Sequence, residues 1–410
     1  MAKNRLRNWL IVGAVGLGLI PIFVLGLFAY RSMTKTPLHP STHDVPSVTR
    51  STPPAKWAGA VAQARDTAIA GLVEQNLPGL SVAVGIDGDV IWAEGFGFSD
   101  LDDKARVAPD TRFRIGTTSM ALTSAAVGVL LERGSLALDD EIQKYVPTYP
   151  KKPWPVTLRQ LMSHTAGVRN DGGDEGPLFG QSCAKAAEAV PTFADFDLRF
   201  EPGTQFKHSS YGWILVSAAI EAASGDPLFK FMRNSVFDPL GMTDTKGEIS
   251  ADPVTNMASS YFPRFAADPK YGPDPMRPIN FSCYSGASAI LSTPTDLVRF
   301  AMAIHRGTLL KPETVTTLQT SQKLPSGIDP LYGLGWDIEN VSVGNEVFQT
   351  IGHDGHILGG MTSSLMTFRD SGLTIALVSN TSYANTSALG LEIAKAFVLP
   401  LQSKKPATSR

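Results

Sequence analysis

The placement of the β-prone segments constrains the fold most. Gly79 to Gly97 reads GLSVAVGIDGDVIWAEGFG, in which two β-prone runs flank Asp87-Gly88-Asp89, a hairpin signal. At the far end of the chain SSLMTF and LTIALVSN flank Arg369-Asp370-Ser371-Gly372, and a last helical stretch covers about Ser387 to Leu399. The sheet therefore draws strands from both ends of the sequence. Between them lie mostly helical patterns, including Thr118 to Arg133 closed by Gly134 and Gly212 to Ala223 closed by Ser224-Gly225. No internal repeat interrupts them. The expectation is an α/β (α+β) fold in which an antiparallel sheet is flanked by helices, with a helical subdomain inserted in the middle.

The N-terminus is organised differently. Lys3, Arg5 and Arg7 precede an uncharged, mostly apolar run from Trp9 to Tyr30, after which come Arg31 and Lys35. At ~1.5 Å per residue the run is roughly 30 Å long, enough to span a bilayer. The charge bias puts the N-terminus on the cytoplasmic side and the remaining chain outside, at a periplasmic or cell-surface location. A cleaved signal peptide is the competing reading of residues 1–30, and it exports the domain as well. Residues 31–56, rich in Pro, Ser and Thr, read as a mobile tether. The folded part is expected over residues 57–400, with 401–410 as a tail.

The 410 residues are 43% hydrophobic and carry a formal charge of −2. That composition suits a globular protein and lacks the basic footprint of a nucleic-acid binder. The two cysteines, Cys183 and Cys283, have no neighbours at zinc-ligand spacing. In an exported domain they can oxidise to a disulfide if the fold brings their Cα atoms within about 7 Å.

Seven segments in register carry a family likeness: Phe113-Arg114-Ile115-Gly116 before a helix, Leu161 to Gly167 (LMSHTAG), Glu201-Pro202-Gly203, Leu240 to Thr245 (LGMTDT), Leu291 to Leu297 (LSTPTDL), Tyr332 to Trp336 (YGLGW), and His353-Asp354-Gly355 ahead of Gly359-Gly360. Together they resemble the β-lactamase-related serine hydrolases, the family of class C β-lactamases, D-Ala-D-Ala carboxypeptidases, related esterases and serine β-lactamase-like proteins, over about Trp57 to Leu399. The resemblance implies the penicillin-binding-protein/β-lactamase fold and no cofactor. It also implies a cleft for a small-molecule or peptide acyl ligand, with cell-wall fragments among the candidates. In that family a Ser opens a helix as S-x-x-K, so that the Lys one turn later can handle its proton. A Tyr of Y-x-N shares the acid-base work, and a K-T-G or H-x-G strand supplies the opposite wall and an oxyanion N–H.

Laid on these motifs, the sequence places Thr117 at the nucleophile and Met120 at the lysine. Threonine keeps a hydroxyl but adds a β-methyl that restricts χ1, and a thioether has no titratable proton. His208 stands at the tyrosine and Ser210 at the asparagine. His353, Asp354 and Gly355 match the wall strand, and His356 is the expected oxyanion N–H. A metal held by His353, Asp354 and His356 is disfavoured because i, i+1 and i+3 on a strand do not share a face. Literal S-x-x-K patterns at Ser182 to Lys185 and Ser32 to Lys35 lack the lead-in, and His164 reads as a packing and hydrogen-bonding residue. Three functions stay open. The first is a family member with impaired catalysis and a retained ligand cleft. The second is a living hydrolase using Thr117 with His208 as base, and the third is a scaffold at the membrane surface.

Overall fold

The computed structural model describes residues 20–170, 178, 180–249, 254–277, 279–344, 346–357 and 360–402. Its central sheet is antiparallel throughout. In chain order its parts are strand β1 (Ser47–Thr49), helix α1 (Ala58–Gln75), strands β2 (Gly79–Ile86) and β3 (Asp89–Asp100), then helices α2 (Ser119–Glu132), α3 (Ser210–Ser224) and α4 (Pro294–His305). Strands β4 (Asp337–Val343), β5 (Glu346–Ile357), β6 (Met361–Phe368) and β7 (Thr374–Ser379) and helix α5 (Thr386–Gln402) complete it. The strand order is β1-β3-β2-β7-β6-β5-β4, so β2 from one end of the chain pairs with β7 from the other. The first hairpin turns on Asp87 (φ 58) and Gly88 (φ 93), the left-handed pair a two-residue turn requires.

Both faces of the sheet are covered, and the period-2 alternation shows how. On β2, Leu80, Val82, Val84 and Ile86 pack with Ile69, Leu72, Ile393 and Phe397 of α1 and α5, while Ala83 faces the opposite core with α2 and α4. On β7, Ile375 and Leu377 take the first side and Ala376 and Val378 the second. The helical part lies between β3 and β4, as the sequence pattern implied.

Several family-like segments hold one another. Asp296, at the start of α4, accepts from Asp244 N (2.9 Å) and Thr245 Oγ1 (2.9 Å), which ties LGMTDT to LSTPTDL. Arg114 meets Glu248 through two 2.8 Å bonds, both side chains little exposed. Cys183 and Cys283 form a disulfide, with Cα atoms 4.8 Å apart.

The segment read as a mobile tether is laid on the domain. Arg264 Nη2 donates to Thr34 O (2.9 Å), Asn76 bonds both Thr36 O (3.0 Å) and Leu38 N (2.7 Å), and His39 is buried against Phe98. Composition concealed this because the domain's side chains, not the segment's own, satisfy its backbone. Residues 20–33 are helical, with exposed apolar side chains from Ile20 to Tyr30. Among the described residues no helix is long and apolar enough to cross a membrane, and the first part of the apolar run, residues 9–19, lies outside them.

The disulfide closes a sequence separation of 100 residues. Chain-entropy reasoning assigns such a link up to about 4.7 kcal/mol, and native disulfides commonly deliver about 2–5. The double variant Cys183→Ser/Cys283→Ser is expected to lose stability within that range, read as a lowered urea midpoint, with a steeper slope because the uncrosslinked denatured chain exposes more surface.

Candidate functional site

The turn that enters α2 is a close docking of backbone on backbone. Phe113 is fully buried, Arg114 is pinned by Glu248, and Gly116 takes φ +53 with the His356 carbonyl of β5 against it; a Cβ there would lie 2.7 Å from that oxygen. From β5, Gly355 meets the same turn, since a Cβ at this position would come within 2.1 Å of Ile115 O and 2.3 Å of Ser363 Oγ. These two glycines explain FRIG and H-x-G as one contact. Hydroxyls stitch it together: Ser363 Oγ donates to Ile115 O (2.8 Å), Thr118 Oγ1 to His353 O (3.0 Å), and Thr118 and Ser363 lie 2.9 Å apart.

Thr117 sits at the centre of this joint, 6% exposed. Its Oγ1 donates to Asp354 O (3.1 Å) and faces His356 N at 3.4 Å. The sequence-expected N–H of His356 is thus aimed at the Thr117 oxygen. The Thr117 proton, however, goes to a backbone carbonyl. Met120, three residues after Thr117 in the first turn of α2, is fully buried in the core, and Ser119, the nearest serine, is fully buried too. No titratable group enters from the lysine position.

The opposite wall is an aromatic and imidazole cluster. His208 lies 4.5 Å, ring to ring, from His164, which also contacts Tyr332 (4.9 Å), Phe206 (5.8 Å) and Trp213 (6.3 Å). His164 accepts from Ser209 N through Nδ1 (3.1 Å), so it orients the entry to α3. Burial first, and then His208 and His353, hold its pKa well below the ordinary imidazole value, so it stays neutral. Ser210 is buried in the first turn of α3, whose start Ser209 caps by accepting from Gly212 N (3.1 Å). His353, expected on the cleft wall, is 5% exposed. Its Nδ1 lies 2.6 Å from Asp354 O, a carbonyl that can only accept, so Nδ1 carries the proton and Nε2 accepts from Tyr332 Oη (3.0 Å). Burial, then the Asp337 carboxylate, push the Tyr332 phenol well above its usual pKa.

Tyr332 and Ser363 were not singled out from the sequence. Tyr332 lay inside the family-like YGLGW segment, which marked its place without its partner. Nothing marked Ser363, whose role depends on strand register. The structure therefore brings together Thr117, His353, Asp354, Gly355 and His356, and gathers His208 with His164 and Tyr332. Ser182 is an exposed loop residue beside the disulfide. Among the described residues no group of His, Cys, Asp or Glu is placed to hold a metal ion.

Comparison with known proteins agrees with this geometry. The β-lactamase family profile matches residues 61–399. The chain belongs to the β-lactamase family. It is 24% identical over 303 residues to penicillin-binding protein 4* of Bacillus subtilis, covering 72% of this chain and 66% of that protein. It is 25% identical over 368 residues to the mitochondrial serine β-lactamase-like protein LACTB of Homo sapiens, covering 69% and 66%. The chain thus spans slightly less than two thirds of each relative's length. Among solved structures, an octameric penicillin-binding protein homologue from Pyrococcus abyssi superposes with a TM-score of 0.68 at 24% identity, covering 83% of this chain and 77% of that one. The D-amino acid amidase from Ochrobactrum anthropi SV3 complexed with D-phenylalanine superposes at 0.66 and 23% identity, covering 79% and 95%. Both likenesses establish the fold, which is penicillin-binding-protein/β-lactamase-like.

Two outcomes follow from the joint. Gly355→Ala has no room for its methyl and is expected to cost more than about 2 kcal/mol, measured by urea unfolding. The second concerns Asp354, whose pKa is raised by burial, against the Ser364 hydrogen bond and with a further push from Asp337. The folded chain then binds this proton more tightly than the unfolded chain. Its contribution to stability is therefore greatest below the usual carboxylate range and falls as pH rises through that range to the raised value. Asp354→Asn is expected to flatten that part of the stability–pH curve, and equal slopes in parent and variant would count against it.

Proposed function

We propose that this protein keeps the acyl-ligand cleft of its family while lacking the proton chemistry that turns the ligand over. One observation carries the reading: the hydroxyl at the nucleophile position gives its proton to Asp354 O, and the residue one helical turn later is a buried methionine. A serine hydrolase needs a base to take the hydroxyl proton as the acyl bond forms and to return it to the leaving group. Neither role is open to a thioether or to a carbonyl oxygen. The His356 N–H donates toward the Thr117 oxygen at 3.4 Å, so the strand from which the family draws its oxyanion donor still flanks this position, which supports a retained cleft wall.

The ligand is a small acyl compound or peptide. A relative named for penicillin binding and a neighbour crystallised with D-phenylalanine support that class, and fragments of a cell wall fit it. The domain is carried outside the cytoplasm by its N-terminal apolar run, which stays in the membrane as an anchor. The flanking charges and the disulfide support that location.

The position of His208 favours a second reading. Its imidazole stands where the family has its phenol and packs on neutral His164, so Thr117 with His208 as base would make an active hydrolase of esterase, peptidase or β-lactamase type. A membrane-surface scaffold is the third reading, and saturable binding of a ligand in the cleft separates it from the first.

Thr117→Ser with Met120→Lys restores the family pair at the head of α2, and His208→Tyr restores the phenol. The double or triple variant is expected to gain about 10²-fold or more in ester hydrolysis or β-lactam acylation over the parent, with Ser182→Ala leaving both proteins unchanged. If the parent already turns over such substrates and Thr117→Ala and His208→Ala each abolish it, the second reading is correct. Loss on Ser182→Ala would place the nucleophile elsewhere.

A further inference from the structure

The apolar helix at residues 20–33 ends directly on the folded domain. Its last turn is capped by Thr34 Oγ1 donating to Tyr30 O (2.6 Å), and the same Thr34 gives its carbonyl to Arg264 Nη2 (2.9 Å). Lys35 then lies over the Tyr271 ring (5.3 Å), Thr36 and Leu38 are held by the Asn76 side chain, and His39 is stacked on Phe98 (5.6 Å). No free linker separates the helix from the domain. Whatever surrounds the exposed side chains of Ile22, Phe23, Leu27, Phe28 and Tyr30 therefore comes up against the domain at Arg264 and Asn76.

That end of the domain is identifiable from strand register. His356 pairs with Thr362, Thr362 with Ser379 and Ser379 with Leu80, a single row across the sheet. Leu80 is four residues beyond Asn76, and the row carries the contact to Thr117 through His356. The turns after Ile86, Phe368 and Val343 lie at the opposite end, roughly 20 Å away for a six-residue step along a strand at ~3.3 Å per residue. Beside the strap, Phe265 is 39% exposed with one edge against the Tyr271 ring (5.2 Å), Tyr383 is 45% exposed, and Ala266 and Ala267 both take left-handed φ values. The charges there are mixed: Arg31, Lys35 and Lys270 against Glu74, Asp268 and Glu392.

We infer that this end of the domain, with Phe265 and Tyr383 foremost, rests on the phospholipid headgroup layer of the membrane that holds the N-terminal apolar run. The inference rests on the anchor proposed above and adds a fixed orientation to it. A domain on a free tether samples all orientations, whereas one held within a residue of the helix end presents one face. The Tyr383 ring with its polar hydroxyl suits the headgroup layer, and the Phe265 ring suits its boundary with the acyl chains. The mixed charge makes a zwitterionic surface sufficient. The same orientation puts the Thr117 end of the sheet on the membrane side, so an acyl ligand embedded by one apolar tail would reach the cleft from the lipid surface.

The test uses the full chain in phosphatidylcholine vesicles. Both native cysteines are in the disulfide, so Phe265→Cys, Tyr383→Cys and Val347→Cys each introduce one labelling site. Val347 is 69% exposed at the far end of the sheet. With an environment-sensitive fluorophore at each site and a headgroup-region spin-labelled lipid as quencher, positions 265 and 383 are expected to be quenched several-fold more than 347. Equal quenching at all three in protein that floats with the vesicles overturns the orientation and leaves the anchor standing. Protein that does not float with the vesicles overturns the anchor and the orientation together. Positions 265 and 383 shielded equally with and without lipid would assign the face to a second copy of the chain and likewise overturn the inference.

Discussion

Where Gly116 meets β5, two backbones lie closer than any side chain permits: the turn ahead of α2 rests on the His356 carbonyl, and Gly355 rests on Ile115. This contact joins the helical part of the molecule to the sheet built from both chain ends. It places the turn that leads into α2, and with it Thr117, beside β5, whose His356 N–H approaches the Thr117 oxygen. Close approach of two backbones leaves polar groups to be satisfied, and the hydroxyls of Thr117, Thr118 and Ser363 do so within the joint. The hydroxyl at the family's nucleophile position is thereby part of the structure's own hydrogen bonding.

Geometry and chemistry separate at this site. The architecture of a serine hydrolase needs small residues at the joint, a strand in register and a buried helix, all of which are present here with methionine at the family's lysine position. The family's catalysis needs a proton acceptor within reach of one oxygen, and the reading proposed above rests on Met120 offering none at the family's lysine position. A fully buried methionine at that place adds to the apolar core, whereas a lysine would have to be desolvated.

Much of the fold was legible because its signals are local or paired. The Asp87-Gly88 turn, the second hairpin near Gly372 and the glycine after α3 each fix backbone geometry by themselves, and the seven segments order the rest. The site was legible in its members and not in their roles. His353 was expected to face the cleft, but its ring is enclosed by Tyr332 and the Asp354 carbonyl, a pairing set by strand register and a distant loop. The strap from Thr34 to His39 was illegible for a similar reason: its partners, Asn76, Phe98 and Arg264, are far along the chain, and its polar composition resembles that of a free linker.

The most direct test is the intact mass of the unmodified protein after exposure to a fluorophosphonate or a β-lactam. The account predicts no covalent adduct, even at concentrations where a reversible ligand occupies the cleft. A single adduct that maps to Thr117 and disappears in His208→Ala would contradict it, because the hydroxyl would then have found a base.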